Sequence, residues 1–331
     1  MTLKIGWIGC GRHASSMLLP QLVRHDVRLV AMCDVDADRL ATAGRMHGVR
    51  ELTTDAAALI GRRDIDAVGM AVGPEAHAVV ATAALARGLP VFVEKPPAAT
   101  AAAALAVMAA SERARLPVVV GFMKRYSIGY RIAGNVVASG RFGRVLGLTG
   151  HYMTAPTYFA GATDYTGFFL HHCVHWMDLP AFLVSPISRI SGRRLESAPG
   201  RLLIHAQLDF ACGALGSIAM GTIQSRGAPV ERLELMGDHQ RLEVENVAQV
   251  RWSRDPPFKI DDPEASLDPA ADTLVWQPNL TAAANEDPKG YHALLGEAVK
   301  ALAGAPSSAP TIADGVVALE RLEELRRALD L

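Results

Sequence analysis

The stretch LKIGWIGCGRHA, residues 3–14, sets the fold of the first part of the chain. An apolar run that reads as a β-strand ends in the pattern GxGxxA, and a helical stretch follows. In this context the first glycine permits a tight turn, and the second lets a pyrophosphate approach the backbone. The small alanine lets the helix pack on the strand, and the helix N-terminus offers partial positive charge to phosphates. The cofactor-binding residues predicted from this loop are Gly9, Gly11, Arg12, His13 and Ala14.

Asp34 ends the second predicted strand, VRLVAMCD, 20 residues after Ala14. A carboxylate in that place accepts hydrogen bonds from the adenosine ribose and repels a 2′-phosphate. Arg39, five residues further on, is expected to point away along the next helix. The alternative is that Asp34 only caps a helix. We therefore predict that the loop binds NAD in preference to NADP.

The first 122 residues alternate between short apolar runs and helical stretches, with Asp55 and Thr100 as candidate helix caps. This alternation predicts a doubly wound parallel sheet of the Rossmann type, covered by helices on both faces. Val72, at the end of the third run, is assigned to the cofactor site. The predicted strands are 3–9, 27–34, 66–72, 89–95 and 117–122, and the predicted helices are 12–24, 37–48, 56–61, 75–88 and 101–115.

The pattern changes after Phe122. A strand at 144–153 leads through a loop rich in Gly and Tyr into a helix, and a series of alternating runs bounded by Gly, Asn or Asp then predicts a meander of antiparallel strands. We predict a dinucleotide-binding domain over 1–122 and an α+β domain over 123–331, with the last helix a candidate to pack back on the first domain. The alternating runs are 188–197, 201–210, 213–224, 230–238, 239–246 and 248–254, followed by an irregular stretch at 255–289 and helices at 290–303 and 313–329.

The composition does not favour several classes of partner. The chain has 331 residues, 50% of them hydrophobic, and a formal net charge of −1, which does not favour a nucleic acid or an acidic membrane surface. No apolar run reaches the length that spans a membrane, and no basic stretch followed by an apolar one stands before the first strand, so we expect no secretory signal. The four cysteines have no CxxC spacing, so we expect free thiols and a cytoplasmic location. They are Cys10, Cys33, Cys173 and Cys212.

Six motifs follow one another along nearly the whole chain: GWIGCGRHA (6–14), CDVD (33–36), GPEAH (73–77), EKP (94–96), GFMKR (121–125) and H-x-x-D (175–178). In this order they resemble the Gfo/Idh/MocA family of nicotinamide-dependent oxidoreductases. The resemblance implies an enzyme acting on CH–OH groups. It also implies a second domain with a large, mostly antiparallel open sheet.

The resemblance also implies roles for single residues. Lys95 matches the family's active-site lysine beside the nicotinamide, and the bond to Pro96 is expected to be cis. His175 matches the catalytic histidine, and Arg125 matches a basic residue near cofactor and substrate. The further cofactor-binding residues that it implies are Asp34, Val72, His77, Glu94, Lys95, Pro96 and Arg125.

The helix that contains FFLHHCVHWMDL, residues 168–179, is apolar almost all the way round, yet it carries four titratable residues. Packing alone would leave imidazoles in need of partners, and we favour it only for His172. A zinc site would use His171 and His175, with Asp164 or Glu94 as the third ligand. Acid–base catalysis by His175 is favoured, since the pKa of histidine near 6.5 suits proton transfer at neutral pH.

Residues 171, 175 and 178 have the spacing i, i+4 and i+7 and are expected to share one face of that helix. The family often has Asp at the position of His171 and Gly at that of Cys173. His171 is therefore predicted to tune the catalytic histidine in place of a carboxylate. Candidate substrate contacts in and before the helix are Lys95, Tyr152, Tyr158, Asp164, Tyr165, His171 and His175.

The predicted reaction moves a hydride between NAD(H) and a hydroxyl or ketone of a small polar, sugar- or polyol-like molecule. His175 would exchange the proton and Lys95 would stabilise the alkoxide. Two alternatives stay open: a nicotinamide-binding regulatory or scaffold protein without redox activity, and a metal-dependent lyase. Because an open sheet has one face without helices of its own, we expect a homodimer or homotetramer formed through that face.

Overall fold

The computed structural model forms two compact units, each held together by its own internal contacts. It describes residues 2–156, 165–225, 227–254, 272–279 and 287–331. The first unit is Met1–Met123 with Gly290–Glu323, and the second is Lys124–Lys289 with Glu324–Leu331.

The first unit is built on a six-stranded sheet in which every neighbouring pair is parallel. Its strand order, β3-β2-β1-β4-β5-β6, reverses direction between β1 and β4, which is the order of a doubly wound dinucleotide-binding sheet. The predicted Rossmann-type sheet is thereby confirmed. The strands are β1 (Leu3–Ile8), β2 (Val27–Cys33), β3 (Glu51–Thr53), β4 (Ala67–Met70), β5 (Val91–Val93) and β6 (Val118–Val120).

The central strands of this sheet form its core. All residues of β4, β5 and β6 are buried, as expected for parallel strands covered on both faces. Gly69 makes room for Trp7, because a Cβ at this position would lie 2.6 Å from the indole ring. The indole Nε1 of Trp7 in turn donates a hydrogen bond to the carbonyl of Gly9, at 2.8 Å. The buried tryptophan thus fixes the loop that follows β1.

The helices of the first unit begin at side-chain caps in three places. Asp36, Asp55 and Thr100 accept hydrogen bonds from the first-turn amides of their helices, so the predicted caps at Asp55 and Thr100 are confirmed. The helices are a π turn at Ala14–Leu18 that continues as α1 (Leu19–Leu22), α2 (Ala37–His47), α3 (Ala56–Ile60), α4 (Pro74–Ala86), α5 (Ala101–Ala114), α9 (Tyr291–Leu302) and most of α10 (Ile312–Ala328).

The second unit contains an eight-stranded sheet with the order β14-β13-β12-β11-β7-β10-β9-β8. Each neighbouring pair is antiparallel except β7 and β10, which are parallel. The prediction of a large, mostly antiparallel sheet is confirmed. The strands are β7 (Val145–Met153), β8 (Ile187–Ala198), β9 (Arg201–Phe210), β10 (Leu215–Gly221), β11 (Val230–Gly237), β12 (Gln240–Glu245), β13 (Gln249–Ser253) and β14 (Leu274–Trp276).

One face of this sheet is covered by helices. Gly129 lies against β12, where a Cβ would come within 2.7 Å of Val244, and Gly150 in β7 lies against Trp176, at 2.7 Å by the same measure. Small residues therefore allow close packing of helix and sheet. The helical segments of this unit are a 3₁₀ helix at Met123–Tyr126, α6 (Ile128–Ala138), α7 (Thr166–Phe168), a π turn at Phe169–Cys173 and α8 (Val174–Leu183).

Within the part of the chain that the structure describes, none of the helices combines the length and the apolar character needed to cross a bilayer.

Candidate active site

The glycine loop after β1 has the turn and the open backbone that a pyrophosphate requires. Gly9 has φ +92°, and a Cβ there would lie 2.3 Å from the carbonyl oxygen of Ala71. Its amide donates to the carbonyl of Cys33 at 2.8 Å, so the turn is wedged between the ends of β2 and β4. At Gly11, by contrast, a Cβ would meet none of the described atoms within 4 Å. The loop fits a dinucleotide phosphate at its open side.

The helix after this loop starts with one π turn, Ala14–Leu18, a feature often found at functional sites. Ala14 is 1% exposed, in agreement with the predicted close packing at this position. Ser15 donates its hydroxyl proton to the carbonyl of Cys10 at 3.0 Å, which ties the helix to the loop. Arg12 and His13 are exposed.

Asp34 lies directly after β2 and is 6% exposed. One carboxylate oxygen accepts the amide proton of Cys10 at 2.7 Å, and the other accepts that of Asp36 at 2.9 Å. The side chain is therefore held at the sheet edge by backbone, not used as a helix cap; the cap of α2 is Asp36. Oδ2 accepts a single hydrogen bond from the described residues and keeps a further lone pair for a ribose hydroxyl.

Arg39 does not point away along α2, contrary to the prediction. Its Nη1 lies 3.5 Å from Oδ1 of Asp34, and its Nη2 lies 3.2 Å from Oδ2 of Asp36. Two carboxylates within reach draw the flexible guanidinium back over the first turn of the helix. The guanidinium of Arg39 thus lies beside Asp34, the carboxylate predicted to select NAD over NADP.

A groove of about 360 Å³ lies at this end of the loop, lined among others by Cys10, Asp36, Arg39 and Met46. Burial raises the pKa of the Cys10 thiol to about 12 and that of Cys33 to about 11. Both thiols next to Asp34 therefore stay protonated at neutral pH.

His77, in the first turn of α4, is 1% exposed and uses both ring nitrogens. The amide of Val72 donates to Nε2 at 3.1 Å, and Nδ1 lies 2.8 Å from the carbonyl oxygen of Pro96. Because Nε2 accepts, the ring proton resides on Nδ1 and is donated to Pro96. Burial lowers the pKa of His77, so the imidazole is neutral.

The EKP turn follows β5. The Lys95–Pro96 bond is cis, as the resemblance implies, and Lys95 is half-buried. Glu94 is 4% exposed, and its Oε1 accepts no hydrogen bond from the residues that the structure describes. Nε2 of His13 lies 3.5 Å from that oxygen, close enough for an ion pair but not for a hydrogen bond. Gly121 is required beside it, since a Cβ there would lie 2.7 Å from the same atom.

In the second unit, the predicted catalytic helix changes from π-helical to α-helical geometry along its length. The π turn Phe169–Cys173 contains His171 and His172, and α-helical spacing begins at Val174. The prediction of one shared face assumed an unbroken α-helix. His171 is exposed, whereas His175 is 5% exposed, so the two imidazoles have different surroundings.

Asp178, one turn after His175, binds Arg125. Nε of Arg125 lies 3.1 and 3.0 Å from the two carboxylate oxygens, and Nη2 donates to Oδ1 as well. The two side chains are 12% and 2% exposed, and the guanidinium also stacks 4.9 Å from the ring of Phe182. The assignment of Arg125 to the cofactor and substrate stays a prediction; what the structure shows is that Arg125 holds Asp178 of α8.

Lys124, the neighbour of Arg125 on the 3₁₀ helix, is bound in the same way to another element. Its ammonium donates to Glu231 in β11, and the hydroxyl of Tyr130 donates to the same carboxylate at 3.0 Å. Burial raises the pKa of Tyr130 well above its ordinary value. Two adjacent basic residues therefore fasten the 3₁₀ helix to the sheet and to α8.

Tyr152 and His172 form a pair that the sequence did not predict. The phenol oxygen lies 2.5 Å from Nδ1 of His172, and the rings stack with centroids 5.5 Å apart. The ammonium of Lys124 lies 5.7 Å from the centre of the tyrosine ring. The sequence signal for this pair is the two-residue spacing of Gly150 and Tyr152, which places both on one face of β7. In the structure both lie against Trp176, so this face is the one that meets the helix. His172, predicted to be packing, has a polar partner.

The remaining predicted positions differ in outcome. Tyr158 and Asp164 lie outside the described residues. Tyr165 is 1% exposed; its hydroxyl donates to Glu196 at 2.6 Å and accepts from the amide of Gly200 at 3.0 Å. It joins the start of the helix to the β8–β9 hairpin, and its assignment as a substrate contact stays a prediction.

The sequence leaves open a metal site that would use His171 and His175. Among the residues with described positions, no group of three or more His, Cys, Asp or Glu side chains is arranged to hold a metal ion. One proposed third ligand, Asp164, is not among those residues. The absence of a metal therefore stays a prediction.

A doubly wound sheet, an open glycine loop and a carboxylate after β2 define the first unit as a dinucleotide-binding domain. The chain matches two models of one family. Residues 3–122 match the oxidoreductase family with an NAD-binding Rossmann fold, and residues 130–243 match the GFO/IDH/MocA C-terminal domain. Together the two matches span well over half of the chain. The protein belongs to the GFO/IDH/MocA family of oxidoreductases, and its first unit is an NAD-binding Rossmann domain.

Individual relatives resemble parts or all of the chain. An inositol 2-dehydrogenase of Salmonella typhimurium is 37% identical over 161 residues, which cover 47% of this chain and 48% of the relative. The matched part thus spans about half the length of that curated relative. A dehydrogenase from Chromobacterium violaceum has the same fold, with a TM-score of 0.86 at 23% identity over 99% of this chain and 95% of that one. A levoglucosan dehydrogenase in complex with NADH gives 0.84 at 18% identity, over 100% and 97%.

Proposed function

We propose that the protein is an NAD(H)-dependent dehydrogenase or reductase that acts on a hydroxyl or ketone of a small polyol- or sugar-like molecule. The proposal rests on the family, on the cofactor-binding features of the first unit, and on Lys95 and His175 at the positions that the family uses for catalysis.

One observation carries the cofactor half of this proposal. The glycine loop, Asp34, Val72 and the EKP turn follow β1, β2, β4 and β5, four adjacent parallel strands. Their carboxyl ends meet at one edge of the sheet, at the point where the strand order reverses. The ribose carboxylate, the phosphate loop and the lysine are therefore arranged along one edge in the order in which an extended dinucleotide would meet them.

The bound cofactor would supply the redox chemistry, since NAD⁺ accepts a hydride from a carbinol carbon. The chain's own residues move the proton and stabilise charge. As the C–H bond breaks and the C=O bond forms, the hydroxyl proton passes to the imidazole of His175, and the ammonium of Lys95 stabilises the developing alkoxide. In the reverse direction the protonated His175 returns the proton to the carbonyl oxygen.

His171 replaces the carboxylate that the family often has four residues before the histidine. A neutral imidazole does not stabilise a protonated His175, so the base is expected to be weaker than in a relative with Asp. Tyr152 is proposed as a substrate contact. Its phenol is bound to His172, which lies three residues before the proposed catalytic His175. Arg125 is proposed to act through Asp178 on the position of α8.

The substrate class is taken from the named relatives. An inositol dehydrogenase and a levoglucosan dehydrogenase share the family or the fold with this chain. We propose a cyclic polyol or sugar, handled in the cytoplasm.

We also propose a homodimer or homotetramer formed through the sheet face opposite α6 and α8. That face carries Glu243, which is 8% exposed and is surrounded by Arg232, Arg241 and Arg251. Light scattering after size-exclusion chromatography tests this part; a monomer at micromolar concentration would contradict it.

The function is tested with a panel of polyols and sugars, including inositol and levoglucosan, by the absorbance of the reduced nicotinamide. NAD⁺ reduction by at least one member is expected. If NADH binds, as followed by its fluorescence, but no member of a broad panel is oxidised and no ketone analogue is reduced, the non-redox alternative replaces this proposal.

A further inference from the structure

We propose that His77 is a positioning residue for the catalytic lysine: its imidazole locks the loop after β4 to the EKP turn after β5 and so sets where Lys95 stands. This inference rests on the proposed function, because it assumes that Lys95 acts in the reaction.

The two bonds of the ring join segments that are far apart in sequence. Val72 is five residues before His77, and Pro96 is 19 residues after it. No backbone hydrogen bond of a parallel ladder can make this connection, because both loops lie beyond the last paired residues of β4 and β5, Met70 and Val93. The imidazole therefore connects the two loops at a point just beyond the last hydrogen-bonded residues of the two strands.

The ring itself is held rigidly. His77 belongs to the first turn of α4, and its amide donates to the carbonyl of Gly73 at 3.0 Å. A side chain that is 1% exposed and bound at both nitrogens has one orientation. Because Nε2 accepts a hydrogen bond and Nδ1 donates one, only the Nδ1–H tautomer satisfies both partners. The ring nitrogens are thereby used within the protein and are not left for the cofactor.

The position of Pro96 decides that of Lys95. The carbonyl that His77 holds belongs to the residue next to the lysine, and on the other side the amide of Glu94 donates to the carbonyl of Met70 at 3.0 Å. The lysine is thus flanked by two anchored residues. Since a shift of about 1 Å in a catalytic group costs up to roughly 100-fold in rate, loss of one anchor should be visible in turnover.

Two conservative substitutions separate the two bonds. In His77→Asn the amide nitrogen lies near the place of Nδ1 and can still donate to Pro96, while the acceptor for Val72 is lost. In His77→Gln the longer amide reaches the place of Nε2 and can accept from Val72, while the donor to Pro96 is lost. His77→Ala removes both. His47→Asn, in the same unit and in α2, serves as the matched control.

The experiment measures kcat, KM, the NADH dissociation constant and the melting temperature of these variants, with Lys95→Ala alongside. We expect NADH affinity to change less than about threefold, and kcat to fall about 10- to 100-fold in His77→Gln and His77→Ala. His77→Asn should keep most of kcat although its melting temperature falls as much as that of His77→Gln. His47→Asn should keep kcat.

Equal kcat in His77→Asn and His77→Gln, or full kcat in His77→Ala while Lys95→Ala is inactive, would overturn the inference and leave the proposed function intact. Full activity of Lys95→Ala would instead overturn the role of the lysine in the proposed function.

A second measurement does not need a substrate. Long-range ¹H–¹⁵N correlation spectra of the imidazoles should show His77 as the neutral Nδ1–H tautomer at pH 7. The Nε2–H tautomer, or a charged ring at that pH, would contradict the bonding from which the inference is drawn.

Discussion

At the scale of single residues, the carboxylate of Asp34 and the imidazole of His77 are each held by two backbone groups at the edge of the first sheet. Gly9 is recognisable because only glycine fits a positive φ with a carbonyl oxygen 2.3 Å from the site of a Cβ. The role of Asp34 could be predicted because the residue comes directly after the second strand. Arg39 was predicted wrongly, since the direction of a long side chain depends on partners such as Asp36 that no local pattern specifies. The bonds of His77 could not be predicted, because Pro96 meets it only in the fold.

Asp34 should control the preference for NAD over NADP. Asp34→Ala removes the acceptor for the ribose hydroxyls and the repulsion of a 2′-phosphate, and it leaves Arg39 free to bind that phosphate. We expect the ratio of the two dissociation constants to shift by about tenfold or more towards NADP, since hydrogen bonds to charged groups contribute about 1.5–3 kcal/mol. Fluorescence titration of both reduced cofactors measures it.

The matched control for this experiment is Arg39→Ala, which should widen the preference for NAD because the cation beside Asp34 is lost. Equal affinities for NADH and NADPH in the unmodified protein would contradict the carboxylate argument.

His171→Asp should raise the apparent pKa in the pH profile of the oxidation. A carboxylate beside His175 favours the protonated imidazole, and the base then becomes active only at higher pH. The acidic limb of kcat/KM against pH is expected to move upwards, by up to about one unit. His171→Asn, which adds no charge, should leave the limb in place; a shift of the same size in both variants would show that charge is not the cause.

At the scale of elements, the helix that carries the histidines shows the limit of periodicity. The apolar pattern correctly predicted a helix there. It could not show that the segment Phe169–Cys173 is a π turn, because one extra residue per turn changes the spacing without changing the composition. The position of α8 depends on tertiary contacts, above all the buried pair of Arg125 and Asp178.

Breaking that pair should destabilise the protein strongly. Arg125→Met or Asp178→Leu leaves one buried charge without its counter-ion, and we expect a loss of about 3–5 kcal/mol in the free energy of unfolding. The double variant Arg125→Met/Asp178→Leu removes both charges and should lose less than either single variant. Denaturant unfolding of the set measures this. Losses in the two single variants that simply add in the double variant would show that the pair is not coupled.

At the scale of the whole molecule, the alternation of short apolar runs with helices was sufficient to predict the first sheet. Runs in which apolar and polar residues alternate were sufficient to predict the second. Several features were missed for physical reasons. β14 has only three residues and lies within the stretch predicted to be irregular. β3 has three residues, none of them buried, and α6 contains glycines that lower its helix propensity. The parallel pairing of β7 with β10 joins strands more than 60 residues apart, which no local pattern encodes. The domain limits at 122 and 123 stay a prediction.

The protein as a whole should work without a bound metal. The imidazoles at 171 and 175 differ in exposure, and the nearby Asp178 is bound to Arg125. Elemental analysis of purified protein should find well below one equivalent of zinc, and a chelator should leave turnover unchanged. One tightly bound equivalent, lost together with activity, would replace acid–base catalysis by metal chemistry.

The central claim is that His175 moves the proton and Lys95 stabilises the alkoxide. Its most direct test is steady-state turnover of Lys95→Ala and His175→Ala with a substrate found in the panel, together with NADH affinity. Both variants should bind NADH within about threefold of the unmodified protein and lose roughly 10²–10⁴-fold in kcat, the usual contribution of a positioned acid or base. Full activity in His175→Ala would contradict the account and move the chemistry away from this helix.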